Sequence, residues 1–455
     1  MSNQINKNYK TIVIDNGTGY TKMGYSNNLE PSFVIPTAIS ELGIKSNVTS
    51  SNKSDEFNYA IGYDAINLAR DSKDHALIYP MADGIISNWN LMEKYWNHSL
   101  FHYLRCDPES HYFVLTEPPM NPPENRENLA EIFFETFNVA GLYIGVQATF
   151  ALLGSNKIID IEKLSTNTKK FGVEVIEDQK KAINSLTGMV IDSGDGVTHV
   201  VPICDGYVLG SNIKHIPIAG RKITKFMAEM IKDRGENITN EDTNFAANSI
   251  KEEYGYVCKD VVEEFSKYDT SKINEEGSKF KKYSGIGQIS KKPYSIDVGH
   301  ETFLGPEIFF SPEIIDKNYT QSIDEICDLT VQNCPIDYRR RLYSNIVLSG
   351  GSTLFKNFDK RLELCLQERV DNRLNKIKSD TLKVRLFTKI NINKYIKPKR
   401  IKVNVTKGEI KKENVWLGGS IFSGMPQFEK VLHTREEYLE KGPSCCRYNG
   451  VFGFS

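Results

Sequence analysis

Two short segments carry side chains suited to holding a charged ligand. Asp15-Asn16-Gly17-Thr18-Gly19-Tyr20-Thr21-Lys22 and Asp192-Ser193-Gly194-Asp195-Gly196-Val197-Thr198-His199 share the pattern D-x-G-x-G-x-T and end on a basic or imidazole side chain. Paired glycines let backbone N–H groups approach a ligand without interference from a β-carbon, and clustered N–H groups form a concavity for anions. Phosphate fits such a cradle. A triphosphate brings a hard divalent cation that prefers carboxylate and water oxygens, and Asp15 and Asp192 head the two loops where those oxygens are needed. The Thr18 hydroxyl and the Lys22 ammonium add donors on one side, and the amides around Asp195 and Gly196 add them on the other. Taken singly, each segment also reads as a Gly-rich hairpin turn with an Asx-type bond. The duplication favours two related lobes, each offering one loop to Mg-nucleotide.

Two further side chains could act on water near that site. His199 follows the second loop, where its imidazole could hold or deprotonate an attacking water. Gln147 lies inside the apolar run Phe137 to Leu153, so its carboxamide must find partners. It could orient a water near the phosphates or bond to nearby backbone as a core residue. The third Gly loop, Ser349-Gly350-Gly351-Ser352-Thr353, is a common turn sequence that also suits a phosphate or ribose contact through backbone N–H groups.

The elements around these loops follow from residue patterning. β-Branched runs Thr11 to Ile14, Met189 to Ile191 and Asn345 to Leu348 precede the three loops and predict buried strands, with a helical pattern over Phe358 to Leu374 after the third. The stretch Phe137 to Leu153 is shorter than a membrane span and interrupted by polar residues, which predicts a buried helix. Residues 37 to 58 read as a polar surface loop in a small insertion. Residues 156 to 185 read as a solvated excursion. From 376 to 413 the chain is polar and Lys-heavy, and the alternation of Ile401, Val403 and Val405 predicts an exposed strand. Trp416-Leu417-Gly418-Gly419-Ser420 reads as a tight turn under the indole.

Composition excludes several classes. The chain has 455 residues, a formal net charge of −1, 40% hydrophobic and 25% charged residues, so no global field draws it to nucleic acid or membrane. Its length suits two to four domains. G-x-x-x-x-G-K-[ST] is absent, and G-x-G-x-x-G fails because Lys22 and His199 occupy the third glycine position. The eight cysteines contain no C-x-x-C, only the adjacent pair Cys445-Cys446, and the start of the chain lacks a signal-peptide core, so a reduced cytosol is expected. His98 and His102 have helical spacing but no H-E-x-x-H context, and the histidines predict no metal site.

In sequence order, D-N-G-T-G-x-x-K, L-T-E-P-P-x-N-P-P-E-N-R-E (Leu115 to Glu127), F-E-T-F-N-V (Phe134 to Val139), D-S-G-D-G-V-T-H, A-G-R (Ala219 to Arg221), L-S-G-G-S-T and W-L-G-G-S resemble the actin superfamily over nearly the whole chain. Other segments resemble one actin-related branch of it: H-I-P-I-A-G-R (His215 to Arg221), Ser295 to Glu313, Q-N-C-P-I-D (Gln332 to Asp337) and the ending GPSCCRYNGVFG. The resemblance implies an α/β, actin-like ATPase fold of two related lobes, with mixed sheets flanked by helices around a nucleotide cleft. Residues 1–153 plus 414–455 would form the first lobe, with an insertion at about 37–75. Residues 154–413 would form the second, with an insertion at about 219–315.

The resemblance also implies ATP and Mg2+ as cofactors. Asp15, Asp192 and Gln147 would surround the hydrated ion, Gly17, Thr18, Gly19, Lys22 and Gly194, Asp195, Gly196, Val197 would touch phosphates, and Gln147 with His199 would arrange the hydrolytic water. Lys251, Glu252, Gly350, Gly351, Phe355 and Lys412 would meet the base and ribose. Members of this branch join actin-related protein 2 and several smaller subunits, respond to nucleation-promoting factors and template a new actin filament on the side of an old one. Such a chain would work in the cytoplasm and cytoskeleton, hydrolysing ATP slowly at most. A conventional filament-forming actin is the nearest alternative. A small-molecule kinase would need a carboxylate base that no motif offers, and an Hsp70-type chaperone would need a substrate domain after the last nucleotide loop.

Overall fold

The structure is a computed structural model that describes residues 9–42, 59–71, 75–155, 186–268, 279–388, 400–406, 412–425 and 427–448. The polar stretch expected within 37–58 lies outside the described residues from 43 onward, and the excursion at 156–185 lies wholly outside them.

The first apolar run forms β1 (Lys10–Asn16), which turns at the D-x-G-x-G loop into β2 (Tyr20–Tyr25) and continues to β3 (Phe33–Pro36). A small sheet of β4 (Ile39–Leu42), β5 (Tyr59–Ile61) and β6 (His75–Ile78) follows, with the helix Tyr63–Asp71 beside it. The hairpin β7 (Met81–Ala82) and β8 (Ile85–Ile86) leads on to β9 (His111–Glu117) and β10 (Gly141–Val146). The second half repeats the plan with β11 (Gly188–Ser193), β12 (Thr198–Cys204), β13 (Tyr207–Val208) and β14 (Lys214–Ile216). A separate hairpin, β15 (Lys281–Ile286) with β16 (Pro293–Val298), precedes β17 (Ile346–Ser349), and β18 (His433–Thr434) comes last.

Two mixed sheets hold the molecule's halves. One has the order β18-β10-β9-β1-β2-β3, the other β13-β12-β11-β17 with β14 also on β12. In each, the strand before the Gly loop pairs antiparallel with the strand after it and parallel with a later one, β9 for β1 and β17 for β11. Strands with parallel neighbours and cover on both faces need unbroken apolar runs, and Ile12, Val13, Ile14, Met189, Val190 and Ile191 are fully buried. One apolar cluster packs under the first sheet and a second under the other. A third, including Val13, Val114, Phe150, Val190, Val347 and Trp416, joins the two between them.

Three sequence expectations change here. The run Phe137 to Leu153 is not one helix: Gly141 to Val146 is a sheet strand, and helix begins only at residue 147 and continues through 155. Short apolar runs read equally as strand or helix, and pairing with β9 decides this one. Trp416-Leu417-Gly418-Gly419-Ser420 is not a turn but lies inside the buried helix Asn414–Ser423. A β-carbon at Gly418 would stand 1.9 Å from the Phe150 carbonyl oxygen, so glycine here permits helix-to-helix contact. The Trp416 indole donates to the Val13 carbonyl at 3.0 Å, tying this helix to β1. The Lys-heavy region is helical to Thr388, and Val403 and Val405 are buried rather than half-solvated. Val405 makes a single parallel bridge to Ile346.

Candidate nucleotide and metal site

Register carries the duplication down to single residues. Asp15 sits opposite Lys22 across the first hairpin, as Asp192 sits opposite His199 across the second. Each aspartate also receives a hydroxyl from the parallel strand beside it. Thr116, near the end of β9, donates to Asp15 Oδ1 at 2.7 Å, and Ser349, at the end of β17, hydrogen-bonds to Asp192. The two hydroxyl residues follow equivalent leucines, Leu115 and Leu348. Sequence reading missed both, although each stood inside a quoted motif.

Asp15 is buried, with Lys22 Nζ on Oδ2 at 2.7 Å and Gln147 Nε2 at 3.3 Å from Oδ1. Burial works against the Lys22 ammonium, but Asp15, followed by Asp192 and Glu413, outweighs it and raises its pKa. Crowding by protein atoms pushes the Asp192 carboxyl up, the Ser349 hydroxyl pulls it down, and the negative charge of Asp15 pushes it up again. Lys22 thus feels both carboxylates, and the Asp192 carboxyl feels both Asp15 and Lys22, which puts the three groups in one neighbourhood. Gln147 caps this group from the start of helix 147–155: its Nε2 also reaches the Asn16 carbonyl at 3.3 Å and Thr116 Oγ1 at 3.4 Å.

The hairpin tips meet across the crevice. A β-carbon at Gly19 would stand 3.2 Å from Asp195 Cβ, and one at Gly196 would stand 3.2 Å from Thr18 Oγ1 and 3.1 Å from Asp83 Cα. Gly84 N–H donates to Thr18 Oγ1 at 2.9 Å, so the β7–β8 turn completes this junction. At Gly194 a β-carbon would find nothing within 4 Å, and Gly17 is turned tightly against the Tyr20 carbonyl. Val197 is buried. Asp195 takes Arg221 through Nε at 3.1 Å and Nη2 at 2.9 Å, while the Arg221 guanidinium lies 5.5 Å from the Tyr79 ring centre. Lys291 pairs with Asp71 at 2.7 Å farther out. Arg221, Tyr79, Asp83 and Gly84 are site residues that sequence reading did not single out.

His199 is buried in β12 with Nε2 3.3 Å from His215 Nδ1. Burial, then His215, lowers its pKa to about 4, so the imidazole is neutral near pH 7. That makes it a weak proton acceptor, and of the two actions expected for it, holding water suits it better than deprotonating it.

The residues assigned to base and ribose form a second group. Lys251 Nζ is buried and donates to Thr224 Oγ1 at 2.8 Å and the Gly220 carbonyl at 3.2 Å. Burial lowers its pKa against the pull of Asp195 and Glu252, and Lys412 lowers it further. Glu252 is exposed, and with burial it helps push the Tyr20 phenol up to about 12, which places it across from the first hairpin. Phe355 packs where a β-carbon at Gly255 would lie 2.7 Å from its ring. Gly350 has φ +84, and a β-carbon there would lie 2.2 Å from the Ser193 carbonyl, so this loop is pressed against the second hairpin. The Lys412 side chain approaches to within 3.9 Å of the β-carbon position of Gly351. The third loop enters a single 3-10 turn, Gly351–Thr353, and the long helix starts at Phe358, as its sequence pattern predicted, so the loop's amides sit at the 3-10 turn.

An actin family model matches residues 6–449. The chain belongs to the actin family. It is 46% identical over 453 residues to actin-related protein 3 of Caenorhabditis elegans, with 97% of each chain covered. It is 47% identical over 454 residues to actin-related protein 3 of Acanthamoeba castellanii and 46% identical over 445 residues to that of Dictyostelium discoideum, again with 97% of each covered. The fold is accordingly the actin-like ATPase fold, and its two mixed sheets with flanking helices agree with it. Members of this family generally bind ATP with Mg2+. The donor set here suits such a ligand: two carboxylates within electrostatic reach of each other for a hard cation, an ammonium, a hydroxyl and glycine amides for phosphates, and a buried Lys251 whose bonds go to neutral oxygens. Among the described residues no helix is long and apolar enough to cross a membrane.

Proposed function

We propose that this chain is the ATP-binding actin-related subunit of a complex that nucleates branched actin filaments. In this reading it stands with actin-related protein 2 as template for the new filament, alongside smaller subunits, the mother filament and nucleation-promoting factors, at the cortical cytoskeleton. The reading rests on the relatives' name, on the motifs shared with that branch and on the twin aspartates that share one neighbourhood. Residues 1–153 with 414–455 would move against 154–413.

Asp15, Asp192 and, through water, Gln147 would hold Mg2+, which neutralises phosphate charge when bound. Gly17, Thr18, Gly19, Lys22 and Gly194 to Val197 would hold the phosphates. Lys251, Glu252, Gly350, Gly351, Phe355 and Lys412 would hold the nucleoside. Because the hairpin tips touch, nucleotide must part them to enter and can then draw both halves onto itself. The outer latch is an exposed ion pair and a ring contact, which hold weakly. Ligand at about 1,000 times its dissociation constant adds roughly 4 kcal/mol in favour of the bound, closed form. Occupancy therefore controls conformation, and rapid turnover is not required. Neutral His199 and Gln147 would position water without strong base catalysis, in keeping with slow hydrolysis.

The test is the assembled complex carrying Asp15→Ala with Asp192→Ala. The proposal expects loss of ATP binding and of branched nucleation. Normal binding and nucleation, or self-polymerisation of the isolated wild-type chain, would overturn it.

A further inference from the structure

Away from the cleft, the last described segment folds back on the edge of the first sheet. His433 lies in β18, paired with Leu142 of β10. The helix Arg435–Lys441 follows, Gly442 reverses the chain with φ +70, and the 3-10 segment Pro443–Arg447 returns Cys445 and Cys446 to His433. One nitrogen of His433 and the two sulfurs all lie within 4.8 Å of one another. Sequence spacing predicted no such site, because the fold alone brings these residues together.

Three features distinguish this cluster from a chance meeting. The sulfurs are free thiols 3.7 Å apart. Two Zn–S bonds of about 2.3 Å at a tetrahedral angle require a sulfur separation of about 3.8 Å, so the pair already has the spacing of two ligands on one ion. His433 Nδ1 stands 3.1 Å from Glu437 Oε2, and the carboxylate on Nδ1–H leaves the Nε2 lone pair free. That Nε2 is buried and has no hydrogen-bond partner among the described residues. A buried ring nitrogen without a partner is costly, and a cation would satisfy it. Glu437 is held in turn by Lys441 at 2.9 Å and by its own N–H on Thr434 Oγ1 at 3.3 Å, so the histidine's orienting partner is itself fixed.

We propose that His433 Nε2 and the Cys445 and Cys446 sulfurs form a three-ligand site for a borderline-soft divalent cation, Zn2+ by its ligand chemistry. The fourth position is left to water. On binding, each thiol gives up its proton to solvent and the histidine contributes a neutral nitrogen. The ion would clamp the returning segment to the sheet edge. From there Arg447 reaches Glu127 at 2.9 Å and Glu124 at 3.0 Å, and its carbonyl accepts from Arg126, which pairs with Glu117 beside the Asp15-binding Thr116.

The test uses the full chain in its assembled complex, purified under reducing conditions and titrated with Zn2+ and, in parallel, with Co2+. One equivalent of tightly held Zn2+ and a thiolate-to-cobalt charge-transfer band are expected. His433→Gln and Cys445→Ser should abolish both, and Glu437→Gln, which leaves all three ligands in place, should weaken Zn2+ binding about 10- to 100-fold. Absence of metal at micromolar Zn2+, unchanged affinity in Glu437→Gln, or an intact mass showing Cys445 joined to Cys446 would overturn the proposal.

Discussion

Thr116→Val and Ser349→Ala remove, one at a time, the hydroxyls that fix the two aspartates. Thr116 Oγ1 lies 2.7 Å from Asp15 Oδ1, and Ser349 is the matching partner of Asp192. A hydrogen bond to a charged group contributes about 1.5–3 kcal/mol, equivalent to roughly 10- to 150-fold in an equilibrium constant. Without it the carboxylate can turn, and the loss should fall on ligand binding through the cation it orients. The assay is ATP affinity by fluorescence competition, with Mg2+ and then with EDTA. Each variant should lose about tenfold or more with Mg2+ present and little with EDTA, while thermal unfolding of the ligand-free protein changes modestly. Both variants within twofold of wild type in Mg2+, or equal losses with and without it, would refute the reasoning that paired hydroxyls position paired carboxylates for one ion.

Gly350→Ala should destabilise the protein by about 2 kcal/mol or more, because an L-residue at φ +84, ψ 155 is held in a region essentially reserved for glycine, at a cost of about 1–3 kcal/mol, and its β-carbon meets the Ser193 carbonyl. A melting temperature within a degree of wild type would contradict that geometry. Glu307 is buried against Cys258 and Arg361, and burial raises its pKa from 4.5 to about 7. A raised folded-state pKa gives stability that is fully present below about pH 4.5 and is lost as pH rises through 7, up to about 3 kcal/mol. Glu307→Gln should remove that decline, read as melting temperature against pH, and matching profiles for variant and wild type between pH 4.5 and 7 would count against it.

The strands and loops of the cleft were legible in the sequence because a buried strand needs an unbroken apolar run and a tight anion-binding hairpin needs glycine. Both requirements leave marks at fixed spacing, and here they occur twice. Elements whose state depends on a distant neighbour were less legible. Gly418 and Gly419 suggested a turn, yet they lie inside a helix and are glycine there because Phe150 and β1 approach too closely for a larger side chain. Gly141 to Val146 is strand because β9 offers it a pairing edge. Val403 is buried through contact with the core around the long helix, which local alternation could not convey. At the site, Asp15, Lys22 and Asp192 announced themselves by motif. Arg221 and the Asp83-Gly84 turn did not, since their part depends on how the two halves face each other. The His433, Cys445 and Cys446 cluster was hidden because only the chain reversal at Gly442 returns the two cysteines to β18.

A double-mutant cycle on Mg-ATP affinity asks most directly whether the two aspartates serve one ion. Asp15→Asn and Asp192→Asn, measured singly and together, should be strongly non-additive, since losing either carboxylate removes much of what the other contributes, with a coupling of about 0.5–3 kcal/mol. Losses that simply add, with no coupling beyond error, would mean the two hairpins hold separate things, and the account of a shared ligand would fail.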